Sequence, residues 1–250
     1  MFAPLGRRRA GSHTEAMGHS TEPKPWLPFN DRHDAGRRLA LKLHHLRAQQ
    51  QHAGVARPVV LGLSRGGVPI AAEVAASLDL PLGVLVARKL GVPGSEEVAF
   101  GAVATYGGFT HLSHLPFVMD HLRRDGYTIA ELDAVEAGER AELARQQTLF
   151  GNGRQPLISG RTVLLCDDGL ATGATMRTAV SLMREAGAGA IHVCLPAGPA
   201  GACRELEAVC DALTCLQPWP AMHAVSEAYL LFDQVSDAQV LAAIDKYPRP

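Results

Sequence analysis

Residues 163–176 read VLLCDDGLATGATM. A short apolar run, Val163 to Cys166, ends in two adjacent acids, Asp167 and Asp168. A turn of small residues follows, and the sequence to about Ala186 then reads as a helix. Four apolar residues bounded by a turn fit a buried strand better than a helix. In an open α/β sheet, ligands bind beyond the carboxyl ends of the strands. Two acids at that point would face a ligand rather than the core, and because a buried carboxylate is costly a partner is expected for them. The ATGAT turn lets the backbone approach an anion. Its N–H groups and the helix start would cradle a phosphate, with Thr172 and Thr175 adding hydroxyls. Acids for vicinal hydroxyls beside a phosphate nest suggest a sugar phosphate. The residues leave a second reading open, an ordinary helix N-cap turn whose acids merely favour the helix dipole.

The same alternation extends outward. VVLGL (59–63) is a strand, SRGG (64–67) a turn, Val68 to Leu78 an Ala-rich helix and GVLVARK (83–89) another strand. This is a βαβ unit, which implies parallel pairing. Leu39, Leu43 and Leu46 mark one stripe of an amphipathic helix over 31–51. LGVPGSEEVAFG (90–101) is polar and punctuated by Gly and Pro, and reads as a mobile loop before a strand near 100–105. Gly107-Gly108 mark a turn, and residues 116–150 look helical. Thr128 with Glu131 fits a capping box opening a charged, surface-lying helix. IHVCLPAG (191–198) is a strand, followed by a helix near 201–209, a strand near 211–216 and a last helix over 237–244. The fold class is therefore α/β: a doubly wound, mostly parallel sheet flanked by helices. Residues 1–25 are expected to be a disordered tail and 26–250 a single domain. Within it, about 106–158 would be a surface helical insertion and about 217–250 a C-terminal hood.

Composition narrows the function classes. The 250 residues are 47% apolar and 20% charged, which supports a core and argues against global disorder. The formal charge of −1 offers no basic face for nucleic acid or an anionic membrane. No apolar run has the length of a membrane span, and no apolar stretch follows Arg7 to Arg9, so a cytoplasmic protein is expected. The five cysteines, Cys166, Cys194, Cys203, Cys210 and Cys215, contain no CxxC pair and support neither a disulfide framework nor a thiolate zinc site. The histidines are scattered and read as surface residues. Neither GxxxxGK[ST] nor GxGxxG occurs.

VLLCDDGLATGATM resembles the phosphoribosyl pyrophosphate (PRPP) binding motif of type I phosphoribosyltransferases. GLSRGG (62–67) matches where that family has its pyrophosphate loop, and Arg88-Lys89 matches its basic position at the end of the second strand. DRHDAGRRLA (31–40), RKLGVPG (88–94) and SDAQV (236–240) are similar to stand-alone bacterial proteins of this type, so the resemblance spans most of 25–245. It implies a glycosyltransferase of nucleotide metabolism that moves the phosphoribosyl group of PRPP to an unidentified acceptor, a nucleobase or related amine, and releases pyrophosphate. By the resemblance, Asp167 and Asp168 serve the ribose hydroxyls as the catalytic pair. Gly169, Leu170, Ala171, Thr172, Gly173, Ala174 and Thr175 hold the rest of PRPP. Ser64, Arg65, Gly66, Gly67, Arg88 and Lys89 hold the pyrophosphate. Mg²⁺ would be bound mainly through PRPP and water, with the two aspartates behind it. Trp219 and Met222 are candidate acceptor contacts, and a homodimer is implied. Ala171 departs from the hypoxanthine-guanine type, which is acidic there, and follows the adenine type. Glu96 or Glu97 could then serve as the acid–base group. A PRPP- or nucleotide-sensing protein without turnover and a phosphoribosyl hydrolase are the alternatives.

Overall fold

The computed structural model describes residues 27–46, 56–151 and 155–247. The expected tail, 1–25, lies outside them, as do the end of the first predicted helix and the Glu96 and Glu97 side chains. The chain forms α1 (Arg32–Leu43), β1 (Val59–Leu63), α2 (Gly67–Leu78), β2 (Leu82–Val92), β3 (Ser95–Tyr106) and β4 (Phe109–His114). There follow α3 (Pro116–Arg124), α4 (Ile129–Gly151), β5 (Thr162–Cys166), α5 (Ala174–Glu185), β6 (Ala190–Pro199), α6 (Ala200–Glu207), β7 (Ala212–Trp219) and α7 (Asp237–Ile244). A short 3₁₀ turn, Val225–Ala228, precedes α7.

Seven strands make one sheet in the order β4-β3-β2-β1-β5-β6-β7. The five strands from β2 to β7 run parallel, while β3 and β4 are added antiparallel at the β2 edge. The parallel strands read as unbroken apolar runs because helices cover both faces; every residue of β1 is buried. From β1 the chain steps to β2 on one side and later to β5 on the other. The winding therefore reverses at β1, and a crevice opens where the carboxyl ends of β1 and β5 diverge. The SRGG turn follows one of these ends and the acid pair follows the other.

Two expectations are corrected. Residues 90–101 are not a mobile loop. Val92 pairs with Ser95 across a Pro93-Gly94 turn with Gly94 at φ +75°, so the segment is the tip of a β2–β3 hairpin. Its irregular hydrophobic pattern comes from register shifts at Leu90–Gly91 and Gly91–Val92, which break the two-residue period. The strand β4 was absent from the sequence reading. Gly107 and Gly108, at φ +57° and +87°, turn β3 back onto it, and its partial exposure at the sheet edge hides the usual alternation.

The helical region divides at Gly126 into α3 and α4. The Thr128 capping box is present: Glu131 N donates to Thr128 Oγ1 at 3.2 Å, and Thr128 N donates to Glu131 Oε2 at 2.8 Å. The helix α4 lies across β2 and β3, burying Leu132, Leu143, Gln146 and Phe150. On the same face of the sheet, α1 crosses α2 closely at Gly36, where a Cβ would sit 2.8 Å from that of Glu73. Leu39 and Leu43 are fully buried there with Ile70 and Val74.

Among the described residues no helix is long and apolar enough to cross a membrane. Leu39→Ala removes buried methyl groups from a contact with little freedom to collapse. It should lower unfolding free energy by about 2–5 kcal/mol, read as a lower urea midpoint with an unchanged slope.

Candidate active site

Each side of the crevice is shaped by the other. Gly66 has an ordinary helical φ of −61°, so conformational freedom is not why it is glycine. A Cβ there would stand 2.0 Å from Asp168 Oδ2. A Cβ on Gly67 would stand 2.5 Å from the Cys166 carbonyl. The paired glycines thus let the acid-bearing end of β5 lie directly against the turn after β1. The Ser64–Arg65 peptide in that turn is cis.

The acids are half-buried and line a cavity of about 720 Å³. Its floor carries Ser64, Gly66, Asp167, Asp168 and Thr175; β2 supplies Arg88 and Lys89, and the hairpin tip supplies Gly91, Val92 and Pro93. A second hollow of about 190 Å³ adjoins it, enclosed by Gly169 to Thr175 with Lys89 and Val225. Gly173 takes φ +76° and has no side chain to cap α5, which leaves N–H groups of the first turn open to an anion. Thr172 Oγ1 accepts from Ala174 N at 3.5 Å. Gly169 packs so closely on Val225 that a Cβ would meet its Cγ1 at 2.4 Å.

Burial pushes the Asp167 carboxyl well above the usual carboxylate range, and the neighbouring Asp168 charge adds to this. Burial also raises Asp168, but the Arg32 guanidinium opposes it, with Nε 2.8 Å from Oδ2. Asp167 Oδ1 accepts the Asp168 N–H at 2.9 Å. Behind the pair, the Tyr229 hydroxyl donates to the Asp168 carbonyl at 2.5 Å.

The basic groups are already engaged. Arg88 Nε donates to Glu139 Oε2 of α4 at 2.6 Å. Arg65 lines neither hollow; its Nη1 is 3.5 Å from Asp237 Oδ1. Ser64 Oγ donates to Gln146 Oε1 at 3.1 Å, so α4 also reaches the turn after β1.

Most residues singled out in the sequence meet at these two hollows. Trp219 is an exception and a correction. At 5% exposure it belongs to the core, its Nε1 donating to Gln217 Oε1 at 3.3 Å, and it offers no open ring for stacking. Met222 is half-buried against the same core and lines neither hollow. Both residues belong to the C-terminal segment, whose Tyr229 reaches the Asp168 carbonyl. That segment packs behind the acids, while the wall facing them, Ala134, Val135, Gly138 and Glu139, comes from α4. The sequence reading missed Arg32 and Glu139. Charge density marked α4 only as a surface helix, and no local signal tied Arg32 to an acid 136 positions away.

Among the described cysteines, Cys166 and Cys194 are buried in the core as expected, and all five are free thiols. The described histidines are exposed or half-buried; His111 and His114 pair with Glu185 and Glu136.

A carboxyl raised by burial binds its proton more tightly folded than unfolded. Its contribution is therefore fully present below the unfolded value and is lost as pH rises through the folded one. Asp167→Asn should raise the melting temperature relative to the parent at alkaline pH, with the gap closing in acid. Calorimetry across pH reads this, and a gap that widens in acid would contradict it.

A family profile for the phosphoribosyl transferase domain matches residues 31–229. Two proteins of Mycobacterium tuberculosis, from strains CDC 1551 and H37Rv, carry names that provisionally make them phosphoribosyl transferases. Each is 40% identical over 222 residues, covering 88% of this chain and 47% of the relative. The chain thus spans about half the length of the curated relatives it matches. The crystal structure of TT1426 from Thermus thermophilus aligns with a TM-score of 0.68 at 35% identity, over 88% of this chain and 99% of that one. With a profile over most of its length and relatives at this identity, the chain belongs to the phosphoribosyl transferase domain family.

Proposed function

We propose that the protein transfers the 5-phosphoribosyl group of PRPP to a nitrogen acceptor, a nucleobase or related amine, with release of pyrophosphate. The observation carrying this reading is that the acid pair and the Gly169–Thr175 turn share one crevice with Gly66, Arg88 and Lys89. This grouping supports a reading in which a phosphate, a diol and a diphosphate are held side by side.

In this reading the ribose hydroxyls lie on Asp167 and Asp168. The 5′-phosphate takes the N–H groups of residues 171–175 and the Thr172 and Thr175 hydroxyls. The pyrophosphate lies between Ser64, Gly66, Gly67, Arg88 and Lys89, and Arg65 joins it by leaving Asp237. The bond from ribose C1 to the pyrophosphate oxygen breaks as the bond to the acceptor nitrogen forms, with cationic charge on the ring between the two events. The protein's part is positioning and charge stabilisation. The hairpin tip and α4 wall limit the water that would otherwise hydrolyse the ring cation. We read the protein as working in the cytoplasm as a homodimer.

Magnesium fits the donor set. Among the described residues no three His, Cys, Asp or Glu side chains converge as a cage, and the crevice offers two carboxylates. That suits an ion that keeps several waters and takes substrate phosphate oxygens. Asp167 and Asp168 would hold it through water, and it would supply charge neutralisation on the leaving pyrophosphate.

The deciding experiment is pyrophosphate release from PRPP across a panel of purines, pyrimidines and other amines, with water as the control acceptor. Turnover with one acceptor is expected, and Asp168→Asn should abolish it and weaken PRPP binding. Normal turnover in that variant would remove the assignment. Binding without turnover for every acceptor would favour sensing, and release with water alone a hydrolase. Glu139→Gln should bind inorganic pyrophosphate roughly threefold to tenfold more tightly by freeing Arg88. Weaker binding would instead make Glu139 part of the anion seat.

A further inference from the structure

Two consecutive side chains of the turn after β1 belong to one polar circuit that runs through α4. Ser64 Oγ donates to Gln146 Oε1 at 3.1 Å. Gln146 is 1% exposed, and its Nε2 donates to Glu142 Oε1 at 2.9 Å. Arg145 holds both oxygens of that carboxylate, Nε on Oε2 and Nη2 on Oε1, each at 2.7 Å. The same Nη2 donates to Asp237 Oδ2, in the first turn of α7, also at 2.7 Å. Asp237 Oδ1 is buried and finds no hydrogen-bond partner among the described residues, although Arg65 Nη1 stands 3.5 Å away. The circuit thus leaves the turn at Ser64 and returns to it at Arg65. Asp237 is shared unequally, bonded to Arg145 and only loosely paired with Arg65.

We propose that Asp237 is a positioning residue that parks the Arg65 guanidinium outside the crevice, and that Arg145 keeps this hold loose by occupying the other carboxylate oxygen. Arg65 lines neither hollow, yet Ser64 before it and Gly66 after it both line the larger one. A turn of its side chain would therefore bring the guanidinium to the anion seat without moving the backbone. The Arg65–Asp237 contact is long, and its side chains are 34% and 27% exposed, so the attraction is weak. A diphosphate offers direct, charge-assisted and bidentate bonds instead, which are the stronger kind for a guanidinium. Were Arg145 absent, Asp237 could turn its whole carboxylate onto Arg65 and compete in the same way. The helix α4 then restrains both arginines of the seat, Arg88 directly through Glu139 and Arg65 at one remove through Arg145.

The inference rests on the phosphoribosyl reading only for the identity of the anion, and the test separates the two. Calorimetry follows inorganic pyrophosphate binding to the full-length chain. Asp237→Asn should bind about threefold more tightly and Arg145→Met about threefold more weakly. Opposite signs from the two ends of one ion pair distinguish positioning from lost support of α7, which would move both variants the same way. In an Arg65→Met background the gain from Asp237→Asn should vanish. The start of α7 survives the change at Asp237, because Ser236 Oγ accepts from Gln239 N at 3.2 Å and caps the helix by itself. Asp237→Asn binding no more tightly than the parent, Arg145→Met binding no more weakly, or a gain that persists without Arg65 would overturn the proposal. A second measurement needs no ligand: phenylglyoxal modification of Arg65, followed by peptide mass spectrometry, should be faster in Asp237→Asn and slower in Arg145→Met. Rates equal to the parent's overturn the proposal equally. If the parent binds neither pyrophosphate nor PRPP, the phosphoribosyl reading fails, while the modification rates still decide the role of Asp237.

Discussion

The architecture of the crevice depends on one close approach. The Asp168 carboxylate lies where a side chain on Gly66 would have to be. This contact joins the ends of β1 and β5, the strands between which the sheet reverses its winding. Separating them by a methyl group's width would move the acids away from the turn that faces them. The neighbouring constraints follow from this one. Gly67 must clear the Cys166 carbonyl, Gly169 must clear Val225, and the carboxylate needs a cation because it is pressed into protein rather than water.

The surroundings of the crevice come from elements with little else in common. The helix α4 arrives from the antiparallel edge of the sheet and contributes Glu139 and Gln146, which hold Arg88 and Ser64. The chain near Phe29 pairs with the chain near Tyr229: Phe29 N donates to the Ala228 carbonyl, and Leu230 N donates back to Phe29 O, both at 2.8 Å. These paired segments bring Arg32 and Tyr229 to the rear of the acid pair. The front wall comes from mid-chain and the back from both outer parts of the sequence, so the site integrates the packing of the whole domain.

The parallel half of the fold was legible in the sequence because it is written in local patterns. Apolar runs, small-residue turns and the Thr128 box each carry their meaning within a few residues. The misreadings share a physical cause. Around Leu90 and Gly91, register shifts cancelled the strand period, so a hairpin read as a loop. The exposed edge strand β4 lacked a buried face to announce it. Trp219 was judged by residue type, whereas the folded chain places it in the core. The acids and glycines stood out because an apolar run, two acids and a small-residue turn make a pattern confined to a few residues. Arg32 and Glu139 escaped because their partners lie far off in sequence, and only the folded chain brings them together.

The Arg88–Glu139 contact gives the pocket its own counter-ion. On the proposed reading, an incoming diphosphate that takes Arg88 would have to displace a carboxylate tethered to a helix. Added salt then acts in two opposing ways, dulling the long-range pull on the ligand while loosening the internal bond that competes with it. Uptake and loss of the anion would then be an exchange of partners around the Arg88 guanidinium, with the rival carboxylate held in place by α4.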